Sequence, residues 1–560
     1  AGRFTDDGYE VEIEIPWTSI RHPPLVDSAR LLFCRRSARD NEMSTWPALD
    51  PSKQGVLIQT QDMGGPGKVP NTGPWLLQPE LTMTRTDEGA PKDRLGAAGI
   101  APGFTVQYSP SASLQVLATG NPDFSQVESD ETKIDVNQRY SLRYEEKRPF
   151  FLEGQEWFNH PIKDLIYTRT MVTPLYGLRA TQETGKVTMS ALHVWDRQPA
   201  PSVSEGDSWT EEELEDKEAL ASIARLRWSL GADNMLGAVV SDRQVLDSEL
   251  RHNMFGIDGR ASIGDTVILE GAALASTTIG ENQDGDLAPA MLIRNRVNTR
   301  RMESMTELTY IAPEFRTENG FQTKADWLGI EHETEFFIFP DWRPIPRIFI
   351  MPVTTEVAWN NKGTLRAYNY SPGFGFWTAG GALFWFGSDF NGEEFADRWF
   401  DTKQGKFSAG GSWNRWLRTW IRGSVGEGIL YDSDSPSTGL IQKANADLTI
   451  QPLRSLNIGP QIGWERFTQG GIEVYDGYVV RLKAEVYATP KLWNRFIYDF
   501  STFNNSESYE TIFAWEHSPG TAIYLGGSTS VIRGTEEYPS PNEGQRTWAI
   551  FAKASWVFAG

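Results

Sequence analysis

Over its last two hundred residues the chain alternates apolar and polar side chains in short runs. Val480, Leu482, Ala484, Val486 and Ala488 form one series, and Arg481, Lys483, Glu485 and Tyr487 form the other. Leu456, Ile458, Ile462 and Trp464 oppose Asn457, Gln461 and Glu465, while Leu492, Phe496, Tyr498 and Phe500 oppose Arg495, Asp499 and Ser501. A period of two puts successive side chains on opposite faces of a strand. One face is apolar and aromatic; the other carries charge. A soluble sandwich would turn that polar face outward, whereas a membrane barrel turns the apolar face to lipid and the polar face to its lumen.

Turn signals punctuate the runs: Ser371-Pro372-Gly373, Gly380-Gly381, Asn391-Gly392, Gly470-Gly471, Asn504-Asn505, Ser518-Pro519-Gly520 and Pro539-Ser540-Pro541. At the ~10-residue length of membrane strands, the runs predict on the order of 20 to 24 strands. The longest connection, Gln198 to Glu218, carries Glu205, Asp207, Glu211, Glu212, Glu213, Glu215 and Asp216 and reads as a solvated acidic loop. Short turns at one end and long loops at the other suit a barrel. At the C-terminus Trp548, Ile550, Ala552, Ala554, Trp556 and Phe558 share one face. A last strand ending aromatic-x-aromatic resembles the signal by which outer-membrane barrels are recognised for assembly.

Composition sharpens the choice. No stretch of the 560 residues approaches the ~20 continuous apolar residues of a spanning helix. The mean hydropathy is −0.43, yet 12% of the residues are aromatic and 21 are Trp. Membrane barrels combine these properties, because half of each strand faces water and aromatic girdles sit at both interfaces. A formal charge of −21 argues against a nucleic-acid partner, which would need clustered Lys and Arg. It suits cations, neutral glycans or basic peptides better. Cys34 is the single cysteine, which excludes an intrachain disulfide and disfavours thiol-ligated zinc. No signal peptide is visible, and Ala1 opens inside what reads as a domain, so the start reads as processed or truncated.

Three regions follow. Residues 1–60 contain an alternating strand, Tyr9 to Trp17, a second strand, Leu31 to Arg36, and a turn from Asn41 to Pro47. They are too few for a robust core and read as the closing part of a β-sandwich. Residues 61–175 read as a connecting, plug-like segment with the first barrel strands, and residues 176–560 as the transmembrane barrel. The fold class is therefore all-β: a large transmembrane antiparallel β-barrel with the remnant of an N-terminal β-sandwich.

The densest polar cluster lies between Asn121 and Gly154. Its first part is Asn121-Pro122-Asp123-Phe124-Ser125-Gln126-Val127-Glu128-Ser129-Asp130, and its second is Glu145-Glu146-Lys147-Arg148-Pro149-Phe150-Phe151-Leu152-Glu153-Gly154. Phe158 and a strand Ile166-Tyr167-Thr168-Arg169 follow. This pattern resembles a family of bacterial outer-membrane β-barrels whose barrel is a domain of unknown function placed after a family-9-like carbohydrate-binding sandwich. Residues 1–60 resemble the closing strands of that sandwich. The resemblance implies a bacterial outer-membrane location with a periplasmic N-terminal part. It implies no activity.

Asp123, Glu128 and Asp130 are spaced like oxygen ligands and are candidates for a hard cation such as calcium; the simpler reading is a capped turn around Asn-Pro-Asp. Glu145, Glu146, Lys147, Arg148 and Glu153 bring both signs together around Phe150-Phe151-Leu152, an arrangement expected to plug or brace the barrel, with the three apolar residues as anchor. Glu146 and Glu153 could instead form an acid–base pair, as in glycosidases, but nothing fixes their separation. We assign no catalytic residue and no cofactor. The six histidines are scattered; His332, between Glu331 and Glu333, reads as a lumen or interface residue. Trp413, Trp416 and Trp420 fit an interfacial belt better than a sugar-stacking site. No nucleophile elbow, P-loop or dinucleotide fingerprint occurs. The expected function is an outer-membrane channel or receptor for glycan-derived solutes. The alternatives are an anchoring component that docks envelope proteins, and an outer-membrane glycan hydrolase.

Overall fold

The computed structural model describes residues 2–6, 8–13, 25–37, 42–49, 60–68, 75–88, 98–111, 113–204, 208–231, 234–280, 283–414, 416–518, 520–532 and 546–559. Near the N-terminus, Gly2–Thr5 pairs with Gly8–Val11, Phe33–Ser37 with Glu42–Trp46, and Leu25–Leu31 with Gln61–Lys68. Each pair is a separate two-stranded sheet. The expected strand from Tyr9 to Trp17 is described as a strand only to Val11, and residues 14–24 lie outside the described residues. The run Leu31–Arg36 is divided between two strands at Leu32, and the expected turn after Asn41 is a strand over Glu42–Trp46.

The rest of the wall is one closed antiparallel barrel of 27 hydrogen-bonded segments. Leu365–Tyr370 and Gly373–Trp377 occupy a single position, because both pair with Arg347–Trp359 and with Leu383–Phe395. Gln283–Asp284 and Phe558–Ala559 are two-residue extensions of the ring. Discounting these three leaves 24 wall strands, at the top of the range expected from the alternation. The ring starts at Trp75–Glu88 and closes where that strand pairs with Arg546–Ser555, so among the described residues the barrel has no free edge. The opening strand and the last strand lie side by side, which puts the short turns at their end and the long connections, 197–218 and 312–326, at the other.

The alternation serves its expected purpose. Ile550 of the last strand and Trp556 and Phe558 just beyond it are about half exposed, as are Val486 and Ile462, whereas Arg481, Glu465 and Asp499 of the opposite series are buried inside. At the short-turn end Trp75, Trp342, Trp413, Trp416, Trp515 and Trp556 form an exposed girdle. At the long-loop end outward indoles donate to carboxylates: Trp195 to Glu218 at 2.8 Å, Trp399 to Asp401 at 2.9 Å, Trp464 to Asp476 at 2.7 Å and Trp548 to Asp87 at 3.1 Å. Such rings bury an apolar body in the interface and keep a polar tip hydrated. No described helix is long and apolar enough to cross a membrane.

Three sequence expectations are corrected. Ser371-Pro372 does not reverse the chain; it interrupts one wall position, where proline cannot donate to the ladder. Asn391-Gly392 lies inside the strand Leu383–Phe395, and the reversal comes at Ala396-Asp397, both with positive φ. Ile166–Arg169 is not a strand but leads into a 3₁₀ turn, Thr168–Thr170. The acidic connection is also more than a solvated loop. Glu211 and Glu212 are exposed, but Trp209 and Leu214 bury against Val245 and Leu250, and Val203–Ser204 pairs with Phe321–Gln322 of the other long connection.

Candidate functional site inside the barrel

Between the wall strands Leu114–Gly120 and Pro174–Thr184 the chain makes an excursion, residues 121–173. The two strands pair with each other, Gly120 opposite Tyr176, and Asn121 N–H donates to Leu175 O at 2.7 Å. The excursion therefore leaves and re-enters through a closed neck. Its contacts reach wall strands around the whole ring. Phe150 lies against Gly177, Arg294 donates to Pro161 O at 3.2 Å, Arg139 pairs with Glu393 at 2.7 Å, and Lys553 donates to Asp123 O at 2.7 Å. Only a path through the lumen reaches all of them.

The two sides of this segment are attached by different physics. Toward the strands between residues 174 and 338, Phe150, Phe151, Phe158 and Met171 pack with Leu192, Val194 and Ile223, and Ile162 and Leu165 pack with Val239, Met254 and Phe315. Fully burying one such side chain contributes about 1.5–3 kcal/mol. The approach is close. A Cβ on Gly177 would stand 2.5 Å from the Phe150 ring, so that wall position must be glycine for the ring to seat.

Glu146 and Arg148 make the rigid centre of this side. The guanidinium binds both carboxylate oxygens, Nε to Oε1 at 2.8 Å and an Nη to Oε2 at 2.7 Å. The Lys147 and Arg148 amides and the Thr168 hydroxyl also donate to that carboxylate. Arg148 further donates to Met171 O at 2.6 Å and Thr168 O at 2.8 Å, and its charge lies 4.2 Å from the Phe151 ring centre. Burial works to raise the Glu146 pKa, but Arg148 and Thr168 outweigh it and hold the carboxyl below its usual range. A carboxylate so committed has no proton to give. Glu153 accepts from Gln115 at 2.8 Å. Glu145 and Leu152 are exposed, so the apolar anchor consists of Phe150 and Phe151 without Leu152.

Toward the strands from 383 to the C-terminus the attachment is ionic. Lys483 pairs with Glu128 at 2.7 Å, and Arg481 and Arg495 stand 3.4 and 4.0 Å from the same carboxylate. Arg481 also donates to Asp130 O at 2.9 Å and Ser129 O at 3.0 Å, and Arg169 pairs with Asp130. Lys553 donates to Gln126 Oε1 at 2.9 Å and lies 3.5 Å from the Asp123 carboxylate. Burial raises the Glu128 pKa, and the surrounding Lys483, Lys147 and Arg495 pull it below the usual range. Asp123, Glu128 and Asp130 thus face different cations and do not converge on a point. Among the described residues no three His, Cys, Asp or Glu side chains are grouped to hold a metal ion.

Two buried polar clusters were not singled out from the sequence. In one, Glu318 is fully buried and accepts from Ser202 at 2.8 Å and Ser208 at 3.0 Å, while Arg243 donates to its carbonyl at 2.5 Å and to Ala200 O at 2.8 Å. Burial pushes the Glu318 carboxyl up. This cluster ties both long connections to the end of the excursion. In the other, Arg225 takes both oxygens of Asp258, and the side chain of His160 lies against them, its Nε2 3.8 Å from Asp258. Its Nδ1 accepts from Ile162 N–H at 3.1 Å, and burial lowers His160 to about 4, so the ring stays neutral. The available signal was a polar residue at an inward wall position, which alternation alone reads as lumen. His332 sits on the outer face between Thr306 and Thr334, at 2.9 and 3.0 Å.

Residues 83–188 match a family model described as "Domain of unknown function (DUF5916)". No curated protein matches the chain. Among solved structures, the siderophore receptor PirA from Acinetobacter baumannii is similar at 8% identity and a TM-score of 0.43, over 88% of this chain and 82% of that one. The copper transporter OprC gives 8% identity and 0.43, over 88% and 83%. The open form of the ferric-catecholate import receptor Fiu from E. coli K12 gives 7% identity and 0.44, over 90% and 86%.

Proposed function

We propose that the protein is a gated channel or receptor of the bacterial outer membrane, with residues 121–173 as its internal plug and glycan-derived molecules as its solutes. The observation that carries this reading is the asymmetry of the plug's attachment. One side is a dry apolar core; on the other Lys483 and Glu128 are 31% and 20% exposed, and the buried Arg481, Arg495 and Lys553 each also hold a wall carboxylate, Asp499, Glu510 and Glu80, that does not depend on the plug. Partly solvated pairs contribute about 0–1 kcal/mol each, well below an apolar anchor. A solute or a partner can therefore displace the ionic half, residues 121–140, without dislodging the apolar half. The wall beside that half carries partly exposed charges of both signs, Lys406, Arg422, Lys443 and Asp447, which suits a hydrated path. In this orientation the short-turn end and the N-terminal sheets face the periplasm.

Single-channel conductance in planar bilayers tests the proposal, comparing the intact chain with Glu128→Gln/Asp130→Asn. The expected result is a quiet intact protein and stepwise currents, increasing with salt, from the variant. Equal silence from both proteins, each shown to be folded, would remove gating and leave an anchoring barrel.

A further inference from the structure

We propose that the cavity between the plug tip and the wall near the long-loop end binds a neutral, hydroxyl-rich ligand of saccharide type. This rests on the channel reading only for its biological meaning; the binding itself does not depend on conduction. The cavity measures about 330 Å³, within the range of small-molecule sites. Arg139 and Tyr140 of the plug form one side, and wall strands with the connection at Thr323 and Lys324 form the other.

The chemistry of the lining selects the ligand class. Its ionic groups already have partners: Arg139 pairs with Glu393 at 2.7 Å, Lys324 pairs with Glu356, and Arg366 donates to Ala325 O at 2.8 Å. The Tyr431 hydroxyl adds a donor to Glu393. A charged ligand would have to break one of these pairs and leave its partner desolvated, at substantial cost. The other polar side chains of the lining are neutral. The Asn391 amide engages Asn369 through its oxygen, while its nitrogen has no partner among the described residues; nor do the hydroxyls of Thr323 and Thr402. Tyr140 supplies apolar ring surface beside them, while Trp327 is buried with the Lys324 ammonium 4.6 Å from its ring centre. Paired ions with spare acceptor lone pairs, neutral amide and hydroxyl donors, and a ring face together match a sugar, whose hydroxyls both donate and accept and whose C–H face stacks on rings. Occupancy would also matter to the plug, because Arg139 lines the cavity and its neighbour Asn137 is bonded to Ile429 O at 2.9 Å and to Tyr431 N–H at 2.7 Å.

Isothermal titration calorimetry on the full chain in detergent provides the test. The probes are the neutral trisaccharides maltotriose, cellotriose, xylotriose and mannotriose, the acidic tri-galacturonate, and trilysine. At least one neutral trisaccharide is expected to bind, and the Asn391→Leu/Thr402→Val double variant should weaken it about tenfold or more, since each lost hydrogen bond removes on the order of 1 kcal/mol. Stronger binding of tri-galacturonate or trilysine would overturn the assignment. So would neutral binding untouched by the double variant, or no heat from any neutral probe with protein that shows heat-modifiable migration of a folded barrel. A binding result with no conductance in either protein of the preceding experiment would sink the channel reading and leave the site intact.

Discussion

Replacing Phe151 by alanine separates the two halves of the plug. The ring is fully buried, meets Phe150 edge-on at 5.1 Å between centroids, and carries the Arg148 guanidinium on its face. It shares a buried cluster with the inward wall residues Leu192, Val194 and Ile223, so its loss acts first on docking of residues 121–173. Phe→Ala changes at closed core sites cost about 3–5 kcal/mol, which is roughly a hundred- to a few-thousand-fold in a local opening equilibrium. Area bookkeeping agrees: about 150–250 Å² of ring surface at ~25 cal/mol/Å² gives an upper value of the same size. Amide hydrogen exchange resolved by peptide mass spectrometry reads this directly. Peptides spanning 148–171 should exchange faster by at least a hundredfold, while those of the strands Ile472–Thr489 and Leu492–Ser501 should be unchanged. An acceleration below tenfold would refute the apolar anchor, because the ring would then contribute no more than one of the solvated ion pairs. Equal acceleration in the wall would show that the plug and the barrel unfold as one unit.

Glu128→Gln should weaken docking by no more than about 1 kcal/mol, with exchange rising less than tenfold and only in residues 121–140, and the difference should shrink in high salt. Gly177→Ala should cost about 1–3 kcal/mol by pushing a methyl into the Phe150 ring; a thermal melt unchanged from the parent would contradict the close approach. His160, lowered by burial, is neutral when docked and protonates more readily when released, so docking is complete above pH 6.5 and weakens as pH falls toward about 4. The loss across that window is on the order of 3 kcal/mol, and His160→Gln should flatten it in proteolysis at pH 7 and pH 5. Glu146 acts lower on the scale: its depressed pKa gives stability that is present above the ordinary carboxylate value and lost only as pH falls through the docked one. Arg148→Lys should therefore make residues 145–171 more protease-sensitive at pH 4 than the parent.

The wall was legible because a two-residue period is all that lipid on one side and water on the other require. Val480 through Tyr487 could be assigned to faces from identity alone. Turn chemistry was less reliable. Asn391-Gly392 has the composition of a hairpin, but the wall holds it extended between two neighbours, and Ala396-Asp397 makes the reversal instead. The plug was legible as a place and as a mixture of charge with phenylalanine. Its wiring was hidden, because the wall partners of Glu128 stand on strands more than 350 residues away, Lys483 among them. Spacing within Asn121–Asp130 suggested a shared ligand, whereas Asp123 and Glu128 answer to different wall strands and Asp130 to Arg169 of the plug itself. Glu318 lay further still from view: a carboxylate in an acidic protein carries no sign that it will be sealed beneath two serines.

The neck at Asn121 bears on how such an object is built. Because Gly120 and Tyr176 already face each other in register, the ring could close with or without the excursion, and the order of events is left to other contacts. Lys553 sits on the last wall strand, where it meets Glu80 of the opening strand as well as Asp123 and Gln126 of the plug. One residue at the closing seam is thus shared between the ring and its contents. Lys553 is 2% exposed with the plug in place; a barrel closed without it would keep Glu80 but lose Asp123 and Gln126, so the charge at the seam registers whether the interior is filled.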